Sequence, residues 1–300
     1  MTTYTAPSST DHLSYTQLAM LDEHNELSCP RKYGYRYRLG LVEPASLSMI
    51  AGRAFDSGVN ALFTARMGSE SEAQALRVGW AAATKAFDEA RTEVRDDDLQ
   101  AIDAYAVLIE NAIAAFSLAR RNVVPVAVQC RHDLVIPDPR GGDPINVIGY
   151  SDRIDRDGTI VDHKFTGAAR WNAEGKWDDE WVARVRDQLV IYWLARRQTK
   201  RRGEEVPGRV VARARLEVIC ASRRRKEPLL RSLDLRLTRE DERRVIEALR
   251  QAAAAVHEGM LPARPGRACQ FCGFRDRCRQ DEASRGARFA DLVGLGGRAA

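Results

Sequence analysis

No uninterrupted apolar run reaches the roughly 18 residues that a bilayer-spanning helix needs, so the sequence argues against a membrane protein. The opening stretch, MTTYTAPSSTDHLSY, has neither a basic region nor an apolar one, and nothing in it reads as an export signal. The expectation is a cytoplasmic chain with no membrane partner. No G-x-x-x-x-G-K-[ST] is present, which excludes an ATP-driven motor of the P-loop kind, and no internal repeat is visible. Cysteine is sparse, six in 300 residues. In a reducing compartment so few thiols are core residues or metal ligands rather than structural disulfides.

What is present begins with size and charge. Three hundred residues, 44% of them hydrophobic, can bury one large core or two smaller ones. The net charge of +5 is modest, but its distribution is uneven. RRQTKRR (196–202) and SRRRKE (222–227) are dense, and CPRKYGYRYR (29–38) interleaves basic residues with tyrosines. Basic side chains beside aromatics suit a nucleic-acid strand, through phosphate contacts and base stacking. Each cluster taken alone reads equally well as a solvated helix end or loop.

Hydrophobic periodicity divides the chain at residue 123. Before it, segments 14–41, 49–67, 71–94 and 96–121 have helical spacing, the first broken near Cys29-Pro30. After it, VVPVAVQCRHDLVIPD, PINVIGYSDRID and GTIVDHKF are strand-like and separated by turn signals. A helix over 179–198, two more strands and a helix over 238–260 follow. The expected fold class is therefore α/β (α+β): a mixed central sheet flanked by helices. The expected organisation is a helical region 1–122, a sheet-containing core 123–260, a cysteine segment 261–280 and a flexible tail 281–300.

Within this frame, Asp162 and Lys164 share one face of a strand, because side chains alternate. Taken alone, Asp-x-Lys is most often a surface ion pair. Asp152 lies on the preceding strand, in GYSDRID, with Asp155 as a competitor of opposite parity. Two carboxylates brought together repel unless they share a cation. With a nearby lysine they form the parts of a Mg²⁺- or Mn²⁺-dependent phosphodiesterase. A two-residue loop at 157–158 would set Asp152 opposite His163, whereas opposing Asp152 to Asp162 requires a three-residue loop or a bulge. Gln188 and Tyr192, four apart on a helix, can hydrogen-bond a phosphate or a base, although Tyr192 also reads as a core aromatic. Cys269, Cys272 and Cys278, with Cys29 far upstream, have the chemistry of a Zn²⁺ or [4Fe–4S] site, while Cys130 and Cys220 read as core thiols.

The segments SYTQLAMLDEHNELSCPRKYGYRY, GRAFD, GYSDRID, VDHK, QLVIY and CQFCGFRDRC, in this order, resemble RecB-type nucleases of the PD-(D/E)XK superfamily. The resemblance runs from about residue 14 to 280, and is strongest to stand-alone iron–sulfur members, including CRISPR-associated and phage-encoded exonucleases. The chain is also similar to the nuclease domain of AddB. The resemblance implies a restriction-endonuclease-like core and Asp152 and Asp162 as metal ligands, with His163 completing the site through its carbonyl. It further implies Lys164 as the catalytic lysine, Gln188 and Tyr192 placing DNA, and a [4Fe–4S] cluster on Cys29, Cys269, Cys272 and Cys278, with Zn as the alternative. Where many relatives have a metal-binding histidine, this chain has Asp56, which either ligates as a harder donor that favours Mg²⁺ or marks a shifted helix with the position unused. The implied activity is exonucleolytic hydrolysis of single-stranded DNA or DNA ends, often 5′ to 3′, in recombination, repair or DNA processing. The alternative is a DNA-end-binding subunit that docks a recombination or integration protein and has weak nuclease activity.

Overall fold

The structure is a computed structural model that describes residues 12–22, 25, 28–91, 101–137, 142–222, 224 and 226–292. The chain divides into two compact units: a larger one of Asp11–Tyr15 with Pro44–Arg250, and a smaller one that includes Thr16–Glu43 and the residues from Gln251 onward.

The larger unit is built on a five-stranded mixed sheet in the order β1-β2-β3-β4-β5. The strands are β1 (Ala127–Ile136), β2 (Ile145–Ile154), β3 (Ile160–Thr166), β4 (Arg213–Cys220) and β5 (Leu229–Arg236). Neighbours pair antiparallel except β3 and β4, which run parallel. A parallel pair needs a long crossover, and helix α6 (Asp179–Arg201) supplies it. Helices α3 (Leu47–Met67), α4 (Glu72–Ala90) and α5 (Ile102–Ala119) gather round one apolar core with the sheet. Phe55, Phe63, Ile113 and Phe116 are fully buried there. Serine and aspartate N-caps start the helices where the sequence places them: Ser46 for α3, Ser71 for α4 and Asp178 for α6, each accepting from a backbone N–H of the first turn.

Helix α5 lies within the 96–121 segment that reads as helical. It is long and apolar enough to pass for a membrane span, yet Ile109, Ala112, Ile113 and Phe116 are buried in the core. The expected acidic opening of this helix, near Asp96–Asp98, lies outside the described residues.

The smaller unit contains most of α1 (Tyr15–Leu21), a short α2 (Pro30–Tyr33) continuing into a π-helical turn over Gly34–Arg38, a 3₁₀ turn over Arg267–Phe271 and α8 (Arg275–Leu292). Its two sequence-distant parts are joined by polar contacts. Arg31 pairs with Glu282, Arg264 donates to Ser28, and Tyr35 donates to Asp281 at 2.6 Å. Helix α7 (Arg239–His257) runs from the larger unit into the smaller. The tail expected to be flexible from residue 281 is helical through Leu292, and 293–300 lie outside the described residues.

Candidate active site

The β2–β3 turn sets the geometry of the site. Gly158 N–H donates to the Asp155 carbonyl at 2.8 Å, and Asp155 N–H to the Thr159 carbonyl at 3.0 Å. The loop is thus three residues long and ends on Gly158 at φ +86°, the left-handed position that such a hairpin gives to glycine. The ladder then pairs Ile154 with Ile160 and Arg153 with Val161. Continuing that register sets Asp152 opposite Asp162, the arrangement that a shared face requires.

There the strands part. No pair beyond Arg153–Val161 is formed between β2 and β3, and the Asp152 carboxylate takes up the His163 backbone N–H at 2.5 Å. On its other side, Asp152 and Gln129 are missing from an otherwise continuous β1–β2 ladder, with Gln129 held at φ +50°. Asp152 therefore sits at a double break in the sheet. The edge of β2 left free by β3 is occupied by Leu13, which bridges Val147 and exchanges backbone hydrogen bonds with Asn146 and Ile148. Two residues later Tyr15 enters the opening, and its hydroxyl donates to the Arg184 carbonyl.

Lys164 Nζ lies 2.7 Å from Asp162 Oδ2. Burial alone would lower the Lys164 ammonium, but Asp162, Asp152 and Asp56 outweigh it and hold its pKa above the ordinary value. Burial, with Asp162 next, raises the Asp152 carboxyl to about 7. Asp56, from α3, is raised well above its usual range by burial and then by Asp152. Its Oδ1 is buried without a hydrogen-bond partner. Burial and neighbouring carboxylates thus raise Asp56 and Asp152, and Lys164 offsets part of that shift.

Gln188 Nε2 donates to the Tyr192 hydroxyl at 2.6 Å. The Tyr192 ring stacks on His132, with centroids 5.0 Å apart, and packs against Gly149, where a Cβ would meet its Cε1 at 2.3 Å. His132 in turn contacts Ser151 at 2.8 Å. Burial raises the Tyr192 phenol, and Asp162 adds to the shift.

The His163 imidazole is turned to the opposite face, stacked on Phe63 and 3.0 Å from Arg153 Nη1. Burial and Arg153 push its pKa down to about 3. Its Nδ1 stays 3.9 Å from Asp152 Oδ2, but the hydrogen bond to that carboxylate comes from its backbone N–H. Asp155 is also drawn away, into a 2.8 Å pair with Arg153. Arg153 pairs with Glu217 at 2.8 Å, and Glu217 with Arg120 at 2.7 Å. This buried network clasps β2, β3 and β4 together behind the acidic site.

Tyr15, Arg153, Glu217 and His132 escaped sequence reasoning. Glu217, a lone acid in the apolar run ARLEVICA, carried a signal of paired burial. Tyr15 carried none, because its place depends on a bridge to a distant strand.

The six cysteines form no disulfides. Cys29, Cys269, Cys272 and Cys278 all belong to the smaller unit. Burial raises the Cys272 thiol, and Cys29 is near enough to add to the shift. Cys278 Sγ is 4.0 Å from Arg31 Nη1. Among the described residues, however, no three His, Cys, Asp or Glu side chains stand in a metal-holding arrangement. The iron–sulfur expectation therefore gains no ligand geometry here. For the carboxylates, the fit to a divalent cation rests on donor chemistry, on their shared negative field and on the orphaned Asp56 oxygen.

A family model for the PD-(D/E)XK nuclease superfamily matches residues 12–279. The chain belongs to this superfamily. Its nucleases are hydrolases that act on DNA and typically use divalent metals such as Mg²⁺. Solved structures similar to it include SSO0001, at 12% identity and a TM-score of 0.41 over 91% of this chain and 86% of that one. Another is a "putative exonuclease" from Eubacterium rectale, at 13% identity and a TM-score of 0.46 over 84% and 88%. No curated protein matches.

Proposed function

We propose that this superfamily member is a Mg²⁺- or Mn²⁺-dependent deoxyribonuclease of the RecB-like kind, acting exonucleolytically on single-stranded DNA or DNA ends, 5′ to 3′. The observation that carries the reading is the convergence of Asp56, Asp152, Asp162 and Lys164 at the opening between β2 and β3.

Asp56, Asp152 and Asp162, with the His163 carbonyl, would hold the cation, which supplies Lewis-acid polarisation of the phosphodiester and a more acidic water. Lys164 remains protonated at neutral pH and offers its ammonium to the charge that grows on the phosphoryl oxygens. Its 2.7 Å contact with Asp162 orients it. Gln188 and Tyr192 place the strand. The His163 N–H holds one oxygen of Asp152, so the carboxylate is aimed before substrate arrives.

The test is degradation of end-labelled single-stranded DNA in Mg²⁺ or Mn²⁺ by wild type and Lys164→Ala. Lys164→Ala is expected to lose cleavage by at least about a hundredfold while keeping its circular dichroism, and the labelled end reports polarity. Binding without cleavage by both would replace the reading with the DNA-end-docking subunit of a recombination or integration complex. Equal cleavage by both would remove Lys164 from the chemistry.

For the smaller unit we propose a thiolate-held centre on Cys29, Cys269, Cys272 and Cys278, [4Fe–4S] with Zn²⁺ as the alternative. What supports it is that the four thiols share one unit, are half-buried and form no disulfides.

A further inference from the structure

Between the strand that carries Lys164 and the helix that carries Gln188 and Tyr192, the chain makes a small arm. Asp178 N–H donates to the Arg170 carbonyl at 2.8 Å, and Asn172 and Lys176 close the tip, Asn172 N–H donating to the Lys176 carbonyl at 2.9 Å. Trp171 and Trp177 face each other across this hairpin with ring centroids 5.1 Å apart. Arg231, from β5, lies over both rings at 5.3 and 5.4 Å and donates to the Gly175 carbonyl at 3.0 Å. At the foot of the arm Arg170 lies over Trp181, 5.6 Å from its centroid. The Arg170 Nε is buried without a hydrogen-bond partner.

All three indoles are half-buried, so each is anchored yet keeps accessible ring surface. The nine-residue hairpin 170–178 carries Trp171, Trp177 and Arg170, and Trp181 at the start of α6 and Arg231 on β5 join them. Trp181 also has a fixed relation to the candidate active site. It precedes Gln188 by seven residues and Tyr192 by eleven, so on a helix the three lie within roughly 20° of one stripe. Trp181 is then about 10 Å from Gln188 along the axis.

We propose that this arm is a base-stacking platform that receives the single-stranded part of a nucleic acid whose backbone enters the carboxylate–lysine site. The proposal rests on the nuclease reading for the identity of that site. Flat π-faces bind any base, whereas a paired duplex hides its faces. Arg170 and Arg231 add cationic character to the rings they cover. The start of α6 is acidic, with Asp178 capping the helix and Asp179 paired to Lys176 at 3.3 Å. That charge disfavours phosphates laid along it and favours a strand that turns its bases toward the arm. The occupant is therefore a single strand, and selection of it comes from base faces rather than from phosphate contacts.

The experiment uses the full chain without added divalent cation, so that binding is read apart from cleavage. A fluorescent oligothymidylate is titrated by anisotropy into wild type, Trp181→Ala and Trp171→Ala. Quenching of intrinsic tryptophan fluorescence is followed in wild type. Each variant is expected to weaken binding about tenfold, and wild-type fluorescence to quench on binding. A strand with abasic positions should bind wild type and variants alike. Undiminished affinity of folded Trp181→Ala, or absence of quenching in wild type, overturns the platform. If Trp171→Ala does not fold, Trp181→Ala and the quenching decide. Hydrolysis of the p-nitrophenyl ester of thymidine 5′-phosphate by wild type in Mn²⁺ tests the nuclease chemistry separately. Its failure beside intact tryptophan-dependent binding would remove the nuclease and leave the platform.

Discussion

Asp152 is the residue at which function and stability conflict most directly. Its carboxyl titrates near 7 in the fold, raised by burial and by Asp162, against about 3.9 in an unfolded chain. Between those values the folded state keeps a proton that the unfolded state has lost. Stability is therefore fully present below about pH 4 and falls as pH rises through 7. Metal-free Asp152→Asn should exceed wild type in stability at pH 8, on the order of 2–4 kcal/mol, and match it near pH 4. Guanidinium unfolding at the two pH values reads this directly. An asparagine variant less stable at pH 8 would mean that the carboxylate is compensated within the protein. Added Mn²⁺ should reverse the order by stabilising wild type alone. Asp162, Lys164 and Asp152 were legible as residues because alternation on a strand is a strict rule. The side to which His163 would turn was legible too, but not its tie to Arg153 and Glu217, since buried ion pairs are set by tertiary neighbours.

At the scale of elements, the β2–β3 hairpin decides whether those residues meet. A shift of one residue would send Asp152 to the opposite face. Gly158 holds the register, and a Cβ there would stand 2.0 Å from the Arg209 carbonyl oxygen, besides straining φ at +86°. Gly158→Ala should lower the melting temperature by about 5 °C or more, corresponding to a loss of about 2 kcal/mol or more. It should also depress cleavage beyond any loss of folded protein. A variant with full activity per folded molecule would show that the turn can rebuild without moving Asp152. The helices and strands were readable from periodicity and turn signals, and the demand that two carboxylates share a face left a three-residue loop or a bulge. The insertion of Leu13 beside β2, which brings in Tyr15, was not readable, because a single bridge between distant segments has no periodic signal. Basic runs were a weaker guide. Arg196 is buried, donating to the Pro207 and Arg209 carbonyls, and Arg197 pairs with Glu242 while lying over Trp193. Part of what looked like a DNA-binding cluster holds the larger unit together.

At the scale of the whole molecule, the smaller unit is assembled from two stretches separated in sequence by the larger one. Its closure within itself relies on Arg31–Glu282, Tyr35–Asp281 and the tilted packing of Tyr35 against Phe274, whose ring centroids are 5.5 Å apart. Glu43 adds to this by accepting from Lys32 at 2.7 Å and from the Gly273 N–H at 3.0 Å. Arg31 and Glu43 are buried partners in these pairs, and their desolvation offsets much of the attraction they gain. A metal bound to the folded unit and not to the unfolded chain would add its binding free energy to this small sum. Protein purified without oxygen should then contain iron and acid-labile sulfide in equal amounts, or zinc in their place. Cys272→Ser should lose that metal and melt earlier than wild type. Lys164→Ala should keep both the metal and the melting temperature, because its lysine lies in the other unit. Metal-free wild type, with Cys272→Ser melting unchanged, would assign closure of the smaller unit to its ion pairs and rings alone.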